Sequence, residues 1–455
     1  MPAGSDQIAT TLADFAAGLS APDMLPVVAE RVRWILADCV GCIVAGNRQT
    51  EVRRFAGLRG ASAGGAASVL GTGFGLAPAD AAVVNGMAGT WHDLDEGNLH
   101  TKGHAGIQIV PALLAEAEAR RLPGHAVTLA LAAGYEVGCR VYGATSARLA
   151  VHPHGTFGPL AAAVALARLR ALPARRMARV IAIAAGLGLA SSRATLAEGA
   201  TVRNAFTATS GASAFLALDL EEAGIVGEAD PFASMFGAIL GTSFDPTLCV
   251  DGLGTRWRLL RNFFKQHPSV RYAHSALDLV DDIRAAHGPI SPPRIVAVGI
   301  ETYAMAAMLA GHHVATPFGT RFSIPFLVAA RLLEAEEAID GDGSAVFART
   351  DVHALAQRVQ VRENPLYAAQ YPELQPSSMV IALDDGRTLR AEAQHIRGEA
   401  ERPHGAAAMT AKFIALTAPS WGDHAAAALS GLLAADTAPD IAAWAAAARQ
   451  AALCR

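Results

Sequence analysis

The sequence predicts a mainly α fold, in which a large all-helical domain built from both chain ends carries a smaller inserted α+β lid domain. Three observations predict it. Apolar residues recur at helical spacing as far as about residue 265, period-two alternation enters between there and about residue 400, and alanine-rich helical texture returns over the rest of the 455 residues. The predicted division is 1–265 for the first part of the helical domain, 266–400 for the lid and 401–455 for the helical return.

The first helices rest on the repeats Ile8, Leu12, Phe15, Leu19 and Val28, Val32, Ile35, Cys39. Cys39 and Cys42 fall inside that second repeat, so they read as helix core; the five cysteines form no secreted-type disulfide framework. Further on, Leu160, Ala163, Val164 and Ala167 continue the pattern. Beyond it, Arg294 to Tyr303 and Arg358 to Arg362 alternate as strands do, and Met379 to Leu383, then Asp384-Asp385-Gly386 and RTLRAEA, read as a hairpin. Helices are expected over Ala276 to Ala286 and Ile324 to Glu337. RGEAERPHG, Arg397 to Gly405, is a polar, proline-broken linker, and the tail after it is expected to pack on the first domain. A ligand then belongs in the cleft between lid and helical body.

Composition narrows the function. A net charge of −4 from 37 basic and 41 acidic residues, with the basic ones dispersed, leaves no surplus for a polyanion, so no nucleic-acid partner is expected. The most hydrophobic interior stretch, Val180 to Ala190, is short of the roughly 20 residues that a membrane span needs. No membrane association is expected. The opening MPAGSDQIATTLADF has no basic region followed by a long apolar run, so the expected location is cytoplasmic.

The chemistry concentrates between His92 and His104, where three imidazoles and three carboxylates lie on a glycine-bent connection between two helices. Asp95 and His104 are the leading pair, because a carboxylate and an imidazole on one loop can converge on a substrate as base and acid. His92, Asp93, Glu96 and His100 are secondary. His100 and His104 are four apart, but Gly103 between them argues against the regular helix that zinc spacing requires, so no metal is expected. A second cluster, His152-Pro-His154-Gly-Thr156, precedes an apolar helix from Phe157 to Leu169, whose N-terminus suits a carboxylate. Arg203 with Asn204, and the run from Lys265 to His274, add positive charge and donors suited to an anion.

These pieces resemble the MmgE/PrpD family, which includes 2-methylcitrate dehydratases, cis-aconitate decarboxylases and iminodisuccinate epimerases. The resemblance runs nearly end to end: ILADCVGCIVAG is similar to a family helix of pattern D-x-x-G-x-x-x-x-G, and AAVVNGMAGTWHDLDEG to its NG…H-x-x-D-x-D-D segment. GHAGIQIVPALLAEAE, HGTFGPLAAAVALARL, HPSVRYAHSALDLV, TRFSIPFLVAARLL and AKF (Ala411 to Phe413) follow in the family's order.

The resemblance implies a homodimer with a site between the two domains and cofactor-independent chemistry on small polycarboxylates. It makes Asp95 the active-site aspartate, His104 the histidine preceding the P-A helix, His154 that of the H-x-T segment, His274 the lid-side histidine and Tyr303 a lid tyrosine. Arg203, Lys265, His92 and Thr156 are then expected to bind substrate. In this chain Glu96-Gly97-Asn98 stands where the family has further aspartates, and Arg203-Asn204-Ala205-Phe206 where several members have K-P-x-H. The expected activity is a lyase, dehydratase or decarboxylase, on a small di- or tricarboxylate. An epimerase and a non-catalytic carboxylate-binding protein are the alternatives.

Overall fold

The computed structural model describes residues 5–336 and 341–454. The protein is mainly α. Its centre is the helix Pro26–Gly46, which is buried on every side from Ile35 onward, as expected of a helix without a polar face. Pro78–Gly89, Gly106–Ala119, Gly124–Gly143 and the late helix Ala406–Trp421 pack around it. Close approach sets the spacing: a Cβ at Gly46 would lie 1.9 Å from the Ala88 carbonyl oxygen, and one at Gly41 would touch Phe413 and Leu416. Cys39 and Cys42 are buried on this helix, where burial pushes both thiols well up.

One apolar core takes residues from Ile8 to Phe264 and again from Met409 to Ala451; a second takes residues from Val270 to Leu389. The second core lies under a four-stranded sheet. Its strands are β1 (Ile295–Thr302), β2 (Val359–Glu363), β3 (Ser377–Leu383) and β4 (Thr388–Ala393), in the order β4-β3-β1-β2, with only the β1/β2 pair parallel. Alternate residues of β3, from Ser377 through Met379 and Ile381 to Leu383, are buried, and the helices His274–His287 and Ile324–Leu332 pack on this unit.

The helix expected to reach Glu337 stops at Leu332, just before Glu334 adopts a left-handed φ of 50°; Glu337 itself lies outside the described residues. Two-residue ribbons were invisible to periodicity. Gly97–Asn98 pairs antiparallel with Asn262–Phe263, and a Cβ at Gly97 would meet the Phe263 ring at 2.4 Å. That contact accounts for glycine where the resemblance anticipates an aspartate.

Candidate active site

The loop after Pro78–Gly89 is held from three sides. Lys412, on the late helix, donates to Asp38 Oδ1 at 2.6 Å and to the Leu94 carbonyl at 2.8 Å, while Asp38 Oδ2 accepts from the Glu96 backbone N–H at 2.9 Å. Both charged side chains are buried. Glu96 turns inward, accepting from Tyr135 Oη and from the Gly106 N–H, each at 2.7 Å. Burial pushes its carboxyl up to about 8.

So fixed, the loop sets Asp95 Oδ2 2.7 Å from His104 Nδ1. Asp95 is fully buried, and His104 forms part of a cavity wall. The carboxylate thus lies behind the imidazole and off the cavity wall, whereas the sequence reading has both groups converge on the substrate. With Nδ1–H donating to Asp95, Nε2 is the atom left to accept a proton. Gln108 Nε2 donates to the His104 carbonyl, and Gln108 Oε1 accepts from the Gly155 N–H, both at 2.8 Å, which ties the second histidine cluster to the first.

In that cluster His154 stands edge-on to His104 at 4.9 Å between centroids and to His152 at 4.5 Å. Both ring nitrogens of His154 are buried without a hydrogen-bond partner. Burial, and then Arg203, hold His154 and His152 well below the ordinary imidazole value, so both are neutral near pH 7. Thr156 caps nothing: its Oγ1 donates to the Pro153 carbonyl at 2.5 Å, and the helix Gly158–Leu169 begins without a side-chain cap.

Arg203 and Lys265 converge on Asp93. Arg203 Nη2 lies 2.7 Å and Lys265 Nζ 3.0 Å from Asp93 Oδ1, and Lys265 also reaches the Asp93 carbonyl at 2.8 Å. Burial disfavours a charged Asp93, yet the two cations hold its carboxyl well below the usual range. Burial lowers Lys265, with Asp93 opposing. Two of the four residues expected to bind substrate are thus occupied by a carboxylate of the chain, which the sequence reading ranks second.

The cavity draws together Asp93, His104, His154 and Arg203 from well-separated segments. Other expected residues lie off its wall. His274 packs edge-on to His267 at 5.1 Å and contacts the Ser269 carbonyl; Tyr303 donates to Gln375 at 3.1 Å and stacks on Tyr371 at 5.0 Å; the His92 ring contacts the Gly341 carbonyl at 3.1 Å. Gln375 and Tyr371, the partners of Tyr303, do line the cavity, as do His152, Lys102 and Arg193. None of these carried a sequence signal apart from Lys102, which sits inside the dense loop, and His152, inside the second cluster. A separate cavity lined by His267, Leu277, Arg321 and Val346 shares no wall residue with this one.

Asp95, His104 and His154 each bring one ligand atom within 4.8 Å of the others, and Asp95 Oδ1 is buried without a donor, so a metal ion could be held here.

The buried histidines give an expected pH response. His152, His154 and His274 all have folded values depressed by burial, so the unfolded chain takes up protons near 6.5 that the folded chain refuses. Their stabilisation is present above that value and is lost as pH falls below it, by up to ~1.4 kcal/mol per pH unit for each residue. Glu96 opposes them over the window from 4.5 to about 8, but as one group against three. Urea midpoints are therefore expected to drop between pH of about 7 and about 5.5; a flat profile would count against neutral buried imidazoles.

Residues 10–248 match the family model of the MmgE/PrpD N-terminal domain, and residues 267–433 that of the MmgE/PrpD C-terminal domain. No curated protein matches the chain.

Proposed function

The chain belongs to the MmgE/PrpD family, whose members are generally enzymes such as dehydratases, and from that premise we propose that it is a cofactor-independent lyase acting on a small di- or tricarboxylate. The observation that carries this reading is the Asp95–His104 contact of 2.7 Å, with the imidazole on a cavity wall beside His154. A proton next to a carboxylate is weakly acidic, so its removal needs a positioned base and stabilisation of the charge that develops. His104 Nε2 takes that proton, and Asp95 stabilises the resulting imidazolium without itself becoming protonated. His154, neutral and a few ångströms away, keeps its N–H and donates a hydrogen bond to the departing hydroxyl, which leaves as water with the proton that His104 has taken. In a decarboxylation no proton is first removed from carbon: the C–C bond breaks to release carbon dioxide, and the electron pair left on carbon takes a proton from the His104 imidazolium.

An epimerase would need an acid/base group on each face of the carbon, one neutral to take the proton and the other protonated to give one back, without a leaving group. Turnover of a panel of citrate-like acids, followed by proton NMR in deuterated water, separates the readings. A lyase changes unsaturation or carbon skeleton, an epimerase only washes in deuterium, and a protein that does neither on any acid of the panel is not this enzyme.

Acid–base chemistry of this kind is expected to survive dialysis against a strong chelator. Loss of turnover that zinc restores would instead assign Asp95, His104 and His154 to a metal. Among the described residues no helix is long and apolar enough to cross a membrane. A homodimer, which the family resemblance implies, completes the proposal.

A further inference from the structure

We infer that Lys102 and Arg193 hold a substrate carboxylate while Asp93 Oδ2 accepts a hydrogen bond from the substrate, so that the ligands favoured are hydroxy- or amino-substituted polycarboxylates. The inference rests on the carboxylate reading above and deepens it. Four cationic side chains line the cavity: Lys102, Arg193, Arg203 and Arg271. Two are committed. Arg203 is on Asp93, and Arg271 is paired with Glu399 at 2.7 Å while lying 4.2 Å over the Phe263 ring. Lys102 and Arg193 make no ion pair with a carboxylate among the described residues; Arg193 donates from Nη2 to the Val151 carbonyl at 3.0 Å, and its Nε is buried with no acceptor. The Lys102 ammonium lies 5.6 Å from the Tyr371 ring centroid, on the same wall.

Asp93 supplies the second half. Arg203 and Lys265 both address Oδ1, whereas Oδ2 is buried with no donor. A buried carboxylate oxygen without a donor is costly, and a hydroxyl or amino group on the ligand would satisfy it. Asp93 and Lys102 also share an unusual backbone, with left-handed φ of 51° and 49°. Such a backbone is strained in residues other than glycine, and here it places two oppositely charged side chains on one cavity wall.

Calorimetric titration of the full chain with succinate, malate, tricarballylate and citrate tests this without requiring turnover. The expected result is that malate binds more tightly than succinate, and citrate than tricarballylate, by roughly tenfold or more. Lys102→Gln and Arg193→Gln are each expected to weaken all four by roughly tenfold. Asp93→Asn, whose carbonyl can still accept from Arg203 and Lys265 while its amide NH2 replaces the Oδ2 acceptor, is expected to abolish the hydroxyl preference. Binding unchanged in Lys102→Gln and Arg193→Gln would overturn the carboxylate assignment, and equal affinity of wild type for malate and succinate would overturn the role of Asp93; neither arm depends on Asp93→Asn folding. Failure of wild type to bind any of the four would sink the carboxylate reading itself.

Discussion

His104→Gln is expected to lower turnover on any acid that the wild type converts by about 10²-fold or more, the scale of a lost general base. Glutamine keeps approximate volume and hydrogen bonding to Asp95, so the loss belongs to the basic Nε2 of the imidazole and not to a collapsed loop. Thermal denaturation should show a folded protein, because His104 sits on the cavity wall and its backbone is fixed independently by Gln108. The effect should appear in kcat far more than in KM, since the base acts in the transition state. Near wild-type kcat in a folded His104→Gln protein would remove the proposed base.

Lys412→Met is expected to destabilise the protein by about 3–5 kcal/mol, because it leaves the buried Asp38 carboxylate without its cation. Burial already pushes the Asp38 carboxyl up, with Lys412 opposing. The pair joins residues 374 positions apart and fixes the segment between Leu94 and Glu96, so turnover should fall as well. Asp38→Leu with Lys412→Met should restore much of the stability, since a buried ion pair exchanged for apolar groups is often neutral. It should not restore turnover, because the Glu96 N–H and the Leu94 carbonyl still lack their partners. Full activity in the double variant would mean that this pair does not position Asp95.

What the sequence disclosed follows from how local each signal is. Apolar period marked the helix Gly158–Leu169 to within a residue, and alternation marked β1 and β3, because both signals repeat over several residues. The dense loop gave Asp95 and His104 for the same reason: chemically rare residues crowd into a short span. Orientation was not legible. That Asp95 faces the back of His104, that Asp93 takes both Arg203 and Lys265, and that Thr156 turns to Pro153 depend on contacts across 9, 110, 172 and 3 positions, respectively. Arg193 escaped notice because a single exposed-type cation carries no periodic or motif signal until the chain folds around a cavity, and Lys102, though inside the dense loop, was passed over for the imidazoles and carboxylates around it. Asp38 and Lys412 stood inside the family-like segments ILADCVGCIVAG and AKF, yet only the structure gives the physical reason: one ion pair bolting the late helix to the loop of Asp95.

The central claim is that His104 removes a proton from carbon next to a carboxylate. It is met most directly by the rate at which that carbon-bound proton is replaced by deuterium, read by proton NMR with wild type, Asp95→Asn and His104→Gln on the same acid. The account predicts exchange or deuterium-containing product with wild type, a slower rate with Asp95→Asn, and a loss of about 10²-fold or more with His104→Gln. Exchange at the wild-type rate in His104→Gln would contradict it.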